Sequence, residues 1–359
     1  GAGTGRRPGK AVDDLGVTII RSCTLPALHH SFIWRVFSFL SFMLSSLVNG
    51  LFVRRVDLVW GTTPPIFQAL TAWLLARLKG VPFLLEVRDL WPAFAVAVGV
   101  LKNKCLIRLS EGLERFLYRY ADRVVVNSPG FIQHLQQRGA RQITLVPNGA
   151  DPDMFDPAAD GSQFRVENGL EEKFVVLYAG AHGISNDLDV VLDAAELLRD
   201  EPSIRIVMLG SGKEKPRLVA EAEQRQLENL LFLPPVAKQD MAATLAGADA
   251  CLAILKPIEM FKTTYPNKVF DYMAAGRPVL LAIDGEIRKV VEEARAGLFV
   301  PPGNHHALAD AIQAMAKDPV ECRKMGINGR ILIETRFSRA ELANQFALMV
   351  DEISQQNQD

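Results

Sequence analysis

The chain alternates short, continuously apolar runs with longer amphipathic ones, and it does so twice. In the first half the runs Val17–Ile20, Asp57–Trp60, Phe83–Val87, Arg123–Asn127 and Ile143–Val146 read as strands. Between them, Ile66–Leu78, Lys104–Tyr120 and 129–138 read as helices, the last with Ser128 as its expected cap. In the second half the strands are Phe174–Tyr178, Ile204–Leu209, Leu230–Leu233, Ala250–Leu255, Val279–Ile283 and Leu298–Val300. Strands that are apolar throughout, and separated by helices, belong to a parallel sheet covered on both faces. The pattern therefore predicts an α/β chain of two Rossmann-like, doubly wound domains, with a cleft between the carboxyl ends of their sheets. The stretch Pro147–Pro157, PNGADPDMFDP, is a hinge by composition. Its Asp151 and Asp153 read as turn residues, because no histidine or third acid accompanies them. The expected boundaries are a linker over 1–16, a first domain over 17–150, a second over 151–336, and a C-terminal helix over 337–359 that returns to the first. Ser338 and Glu341 form a capping box at the start of that helix.

Charge excludes one class of partner. Lys and Arg total 40 against 41 Asp and Glu, so there is no bulk basic field for nucleic acid. Cys23, Cys105, Cys251 and Cys322 are scattered and form no CxxC pair and no metal-ligand spacing, as expected of buried thiols in a reducing compartment. Gly1, Gly3 and Gly5 imitate a phosphate-loop spacing, but no strand precedes them, and residues 1–16 read as an unstructured linker. No signal peptide is legible.

The segment Ser31–Val53 is the most apolar part of the chain and is near spanning length, yet Arg35, Asn49 and several serines interrupt it. Aromatic residues at one end and Arg54–Arg55 at the other suit a helix lying in a membrane interface. A buried helix pair of a large domain fits as well, and a spanning helix is the third reading.

The stretch Tyr265–Gly276, YPNKVFDYMAAG, carries the strongest candidate chemistry. Pro266 suits the first turn of a helix, and Gly276 with Pro278 ends it. Lys268, Asp271, Tyr272 and Ala275 then share one face. Unsatisfied N–H groups, the positive helix end and a lysine suit a phosphate, and an acid one turn on suits a ribose diol. A solvated lysine and a helix-start aspartate are the plainer alternative. Two glycine turns follow strands of the same half: Gly180-Ala181-His182-Gly183 and Gly210-Ser211-Gly212. Glycine there lets a backbone approach a diphosphate closely, or simply serves a tight turn. In the first half, Phe83–Val87 runs into Arg88-Asp89-Leu90-Trp91-Pro92. The charged pair points into a cleft, or forms a salt bridge that ties the loop down. His29, His30, His134, His305 and His306 have no partner that the sequence can place, and no metal-ligating constellation is legible.

The motifs EVRDLWP, VGVLKN, VVVNSPGF, LVPNGAD, YAGAHG and FKTTYPNKVFDYMAAGRPVL, in this order, resemble the family 4 retaining glycosyltransferases. The resemblance runs from about Val17 to the C-terminus, and is to bacterial O-antigen and capsule enzymes of the fucosamine-transferase type. It implies a GT-B fold, a nucleotide-diphosphate sugar donor (a UDP-sugar), and no required metal ion or other cofactor. It further implies transfer with retention to a sugar on a polyprenyl diphosphate carrier. The enzyme would then be cytoplasmic and peripheral on the inner face of the bacterial membrane, held there by residues 31–55.

Two departures qualify that resemblance. Family members usually begin with a strand, a Gly-rich loop and a further helix and strand, so the first domain reads as truncated. Of the family's two Glu spaced eight apart, Asp271 stands where the second falls and Thr263 where the first does, while Arg88 replaces a common His. The expected donor contacts are Gly180, His182, Gly183, Gly210, Gly212, Thr263, Thr264, Tyr265, Asn267, Lys268 and Asp271. Arg88 and Asp89 are the expected catalytic-side pair, orienting sugar or acceptor. No carboxylate stands out as a nucleophile, which agrees with displacement assisted by the leaving group. A nucleotide-sugar epimerase of the same fold, and a non-catalytic nucleotide-sugar-binding subunit of a membrane assembly, are the alternatives.

Overall fold

The computed structural model describes residues 9–13, 15–25 and 32–355, with the side chains of 32, 33, 35 and 36 left out. Expectations placed on residues 1–8, 14 and 26–31, including His29 and His30, fall outside these. The chain divides into two compact units. One comprises Gly1–Asn127, Phe131–Val146 and Phe346–Asp359, and the other Ser128–Gly130 and Pro147–Gln345.

The first unit begins with a hairpin, β1 (Gly9–Val12) paired antiparallel with β2 (Thr18–Arg21). This corrects the reading of 1–16 as unstructured throughout. Asp13 accepts bonds from the N–H groups of Leu15 and Val17 and closes the turn. Helix α1 (Phe32–Leu51) follows. Its serines do not merely interrupt an apolar run. Ser38, Ser41, Ser45 and Asn49 recur on one stripe and hydrogen-bond to Ser22, Cys23, Thr24 and Leu25. The extended segment after β2 is thus zipped along the helix. Trp34, Phe37, Leu44, Val48 and Leu51 stay exposed. Among the described residues no helix is long and apolar enough to cross a membrane.

A four-stranded parallel sheet forms the centre of this unit, in the order β3 (Val59–Thr63), β4 (Phe83–Val87), β5 (Arg123–Val126), β6 (Ile143–Leu145). Helices α2 (Ile66–Lys79), α3 (Ala93–Ala97), α4 (Lys104–Tyr120) and α5 (Ile132–Gln137) connect its strands. Asn103 caps α4 by accepting from Cys105 and Leu106 N–H groups, and Gly80 ends α2 in the left-handed conformation. Leu84 and Val125 pack against Met349 and Ile353 of the last helix, α14 (Arg339–Gln355). Arg339–Gln345 of that helix fall in the other unit. The expected capping box at its start does not form. Ser338 makes no side-chain capping bond and instead bridges Ala150 through its backbone.

The second unit holds a six-stranded parallel sheet. Its strands are β7 (Phe174–Ala179), β8 (Ile204–Leu209), β9 (Leu230–Leu233), β10 (Ala250–Ile254), β11 (Val279–Ala282) and β12 (Gly297–Phe299). They lie in the order β12-β11-β10-β7-β8-β9, so the winding reverses between β7 and β10. Side chains alternate between two apolar layers. Val175, Leu177 and Ala179 enter one core with Val269, Phe270 and Met273, and Val176 and Tyr178 enter the other with Val191, Leu192 and Leu308. Both faces are covered, as the continuous apolar runs require. The connecting helices are α6 (Ser162–Glu167), α7 (Asp189–Leu197), α8 (Lys215–Gln224), α9 (Met241–Ala246), α10 (Asn267–Ala274), α11 (Glu286–Ala294), α12 (His305–Lys317) and α13 (Pro319–Arg336). The Asp151–Asp153 stretch is a turn, in which the Asp151 carboxylate accepts from the N–H groups of Asp153 and Met154.

Candidate active site

Open α/β sheets bind ligands beyond the carboxyl ends of their strands, where the strand order reverses. In the second unit that place lies beyond β7 and β10, and both glycine turns and α10 lie there. The loop after β7 runs beside the loop after β8. The Gly180 N–H donates to the Leu209 carbonyl at 3.0 Å and the His182 N–H to the Ser211 carbonyl at 2.9 Å.

The glycines serve different ends. A Cβ on Gly210 would fall 1.9 Å from the Gly180 carbonyl oxygen, and one on Gly212 within 2.3 Å of the His182 carbonyl oxygen. These two exist so that the loops can interlock, which differs from the diphosphate approach expected of them. A Cβ on Gly180 would sit 2.7 Å from Lys268 Nζ, so Gly180 makes room for that ammonium. Gly183 meets nothing closer than the Asn186 amide at 3.4 Å, and it alone of the four leaves open backbone. Beside the loops lies a concavity of about 290 Å³, lined by Gly180, Ala181, Gly210, Ser211, Val236 and Met241 among others.

Helix α10 is fixed to this edge by Tyr272. Its hydroxyl donates to the Ala179 carbonyl and accepts from the Ala179 N–H, each at 3.1 Å. Tyr272 is therefore a core residue rather than a member of the exposed face that its spacing suggests. One turn earlier, Lys268 is largely buried. Its Nζ lies 4.1 Å from the centroid of the Tyr178 ring and makes no ion pair. Burial lowers its pKa to about 8. Asp271 has a buried Oδ1 with no hydrogen-bond partner, and burial raises its pKa to about 6. One helix face thus holds a cation with no ion-pair partner and a carboxylate oxygen with no hydrogen-bond partner, each desolvated at a cost that the Tyr178 ring and the charges of Arg339 and Lys238 offset only in part. Pro266 offers no side-chain cap, so the N–H groups of Asn267 and Lys268 are left for another acceptor.

The preceding residues depart from expectation. The Thr263 and Thr264 hydroxyls donate to the Met260 and Phe261 carbonyls, and the Thr264 N–H also bonds Phe261. Ser128 does not cap a helix, and its hydroxyl donates to the Thr263 carbonyl at 2.5 Å. Tyr265 stacks its ring among Phe270 and Phe337, and its carbonyl accepts from Asn148. Of this stretch, Asn267 and Lys268 retain unspent N–H groups and Asp271 a free oxygen, whereas the threonine hydroxyls are already used.

His182 is fully buried, with neither ring nitrogen hydrogen-bonded. Burial first, and then the charge of Lys215, depress its pKa to about 4, so the ring is neutral at pH 7. It packs edge-on against Tyr178. The Lys215 ammonium donates to the Gly210 and Leu233 carbonyls and ties down the second loop.

In the first unit, Arg88 and Asp89 follow β4. Arg88 is exposed, and its carbonyl accepts from the Asn127 amide. The two side chains form no ion pair, so the salt-bridge alternative is not what holds this loop. Burial raises Asp89 to a pKa of about 6. Near it, the buried Glu114 carboxylate accepts from Tyr118, His134 and Arg138. This gives His134, which the sequence left without a partner, a structural role. Among the described residues no group of three or more His, Cys, Asp or Glu side chains could hold a metal ion.

Comparison with known proteins bears on domain type and fold. Residues 1–149 match the glycosyl transferase 4-like domain family, and residues 173–318 match the glycosyl transferases group 1 family. WcaI of Escherichia coli (strain K12), named for glycosyl transfer in colanic acid biosynthesis, is 28% identical over 66% of this chain and 60% of its own length. The chain thus spans under two thirds of that relative. WbjE of Pseudomonas aeruginosa, named as a glycosyltransferase, is 25% identical over 83% of this chain and 75% of its own length. Among solved structures, the sucrose-phosphate synthase of Thermosynechococcus elongatus superposes with a TM-score of 0.80 at 19% identity. That match covers 97% of this chain and 86% of the synthase. HepE of Anabaena, solved with UDP-glucose, superposes with a TM-score of 0.72 at 18% identity, over 90% of this chain and 84% of its own. The chain thus carries a region similar to glycosyl transferase 4-like domains, followed by one similar to glycosyl transferases group 1, on a GT-B fold.

Proposed function

We propose that the protein transfers a sugar from a UDP-sugar to a glycan on a polyprenyl diphosphate carrier, with retention and without a metal ion, in surface polysaccharide synthesis. The observation that carries this reading is the pair Lys268 and Asp271. An unpaired buried ammonium and an unpaired buried carboxylate lie one turn apart, at the start of a helix, where the strand order reverses. A diphosphate satisfies the first together with the Asn267 and Lys268 N–H groups, and a ribose diol satisfies the second. The concavity beside Gly180 and Val236 has room for the base.

As the bond to the sugar breaks, charge accumulates on the leaving diphosphate. Lys268 and the open backbone at Gly183 stabilise that charge where it develops. Tyr178 and Tyr272 hold these groups in place before the reaction. In the first unit, Arg88 and Asp89 orient the sugar or its acceptor. Residues 31–55, with exposed Trp34, Phe37, Leu44 and Phe52 beside Arg54 and Arg55, place the enzyme on the cytoplasmic face of the inner membrane. The names of relatives support the pathway class: colanic acid biosynthesis for WcaI, and O-antigen chain mannosyl transfer for an Escherichia coli protein 21% identical to this chain. HepE, crystallised with UDP-glucose, supports the donor class.

Incubation with radiolabelled UDP-sugars and a lipid-linked acceptor tests the reading. A labelled lipid product whose new linkage keeps the donor's anomeric configuration is expected. Isomerised free nucleotide-sugar, or binding without turnover, would replace the reading with one of its alternatives.

A further inference from the structure

The loop after β7 presents no basic side chain: Ala181, His182, Ile184, Ser185, Asn186 and Asp187 follow Gly180. Lys268 lies under Gly180, yet the open backbone is at Gly183, three residues on. A second cation stands there. Lys256, just after β10, donates its backbone N–H to the Ser185 carbonyl at 3.0 Å, which sets it beside that loop at the reversal of strand order. Lys256 lines a small crevice with Gly183, Asp187, Asp189, Glu214 and Arg217. Among these, Arg217 bonds Asp189 and Glu214, and also Glu221, so those carboxylates already have a cationic partner and leave Lys256 to itself. Lys256 is half-buried and makes no ion pair or side-chain hydrogen bond, while the nearby Asp187 senses its charge without touching it. Among the described residues the Gly183 N–H has no acceptor.

We infer that Lys256 is the second cation of the donor site, contacting the sugar-side phosphate of a nucleoside diphosphate sugar together with the Gly183 N–H. This rests on the donor reading given above. Lys268 and Lys256 then divide the diphosphate between two loops.

Calorimetric titration of the full chain with UDP and with uridine tests it, using Lys256→Met, Lys256→Arg and Asp187→Asn. The Met variant is expected to lose roughly tenfold or more in UDP affinity with uridine unchanged, and Arg to restore most of it. Asp187→Asn should leave UDP affinity intact or improve it. If Lys256 only balances Asp187, then adding Asp187→Asn to the Met variant would restore UDP affinity, and the inference is overturned. Unchanged UDP affinity in a folded Met variant overturns it alone. Failure of the wild-type chain to bind UDP overturns it together with the donor reading.

Discussion

The hydroxyl of Tyr272 both donates to and accepts from the backbone of Ala179, at 3.1 Å in each direction. One side chain therefore satisfies both polar groups of the last residue of β7 and fixes α10 against it. Tyr272→Phe would leave a buried N–H and a buried carbonyl unpaired. We expect a loss of about 1–3 kcal/mol in chemical denaturation and a weaker grip on UDP. Unchanged stability would mean that the helix is held by packing alone.

Lys268 and Asp271 should make separable contributions. Lys268→Ala should weaken UDP and UDP-sugar by about 1.5–3 kcal/mol and leave uridine nearly untouched. Asp271→Asn should weaken all three ligands alike. Because burial disfavours the charged lysine, Lys268→Met should also raise the melting temperature of the unliganded chain by about 2–4 °C. Calorimetry and thermal melts read both effects, and equal UDP affinity in all variants would remove the centre of the site.

Protonation sets a window for binding. Lys268, lowered to about 8, is charged below that pH, and Asp271, raised to about 6, is ionised above it. Affinity for a UDP-sugar, whose diphosphate does not titrate near neutrality, should peak between these values. The stability signs differ. The lowered lysine takes up its proton less readily when folded, so stability rises as pH climbs from about 8 towards the ordinary lysine value. The raised aspartate holds its proton more readily when folded, so stability falls as pH climbs from the ordinary carboxylate value to about 6. Lys268→Met should remove the alkaline limb of the binding profile and Asp271→Asn the acidic one.

Turnover should persist in excess EDTA, with rates within about twofold of the untreated enzyme, since leaving-group stabilisation is assigned to Lys268 and backbone N–H groups. A strict requirement for Mg²⁺ or Mn²⁺ would assign that role to an ion instead.

Flotation with anionic liposomes should capture the chain at low salt and release it at high salt. Phe37→Ser together with Phe52→Ser should abolish capture without lowering the melting temperature, because both side chains are exposed. Capture that ignores both salt and substitution would point to a different surface.

The sheets and their order in the chain were legible because parallel strands buried on both faces must be apolar throughout. Lys268 and Asp271 were legible because helical spacing places them on one face whatever the tertiary structure. The roles of Gly210 and Gly212 were not, since a turn glycine required by a neighbouring loop and one required by a ligand have the same local sequence. The local bonds of the Thr263 and Thr264 hydroxyls were not legible either, because short hydroxyl side chains bond to nearby carbonyls when a 3₁₀ turn offers them. Tyr178 was hidden within an apolar run, and helical spacing put Tyr272 on the Lys268 face, where nothing local tells a packed ring from a polar anchor. Lys256 was missed because its meaning comes from a loop about seventy residues earlier in the chain.

The polar stripe of α1 also sets an orientation. Ser38, Ser41, Ser45 and Asn49 bind an extended segment that cannot turn with the helix. The helix is therefore locked in rotational phase, and the ridge of Trp34, Phe37, Leu44, Val48 and Leu51 faces one direction. Inserting one residue between Phe37 and Ser38 would turn Trp34 and Phe37 by about a hundred degrees away from Leu44, Val48 and Leu51 and split the ridge. The serines that look like flaws in a hydrophobic segment thus act as its compass.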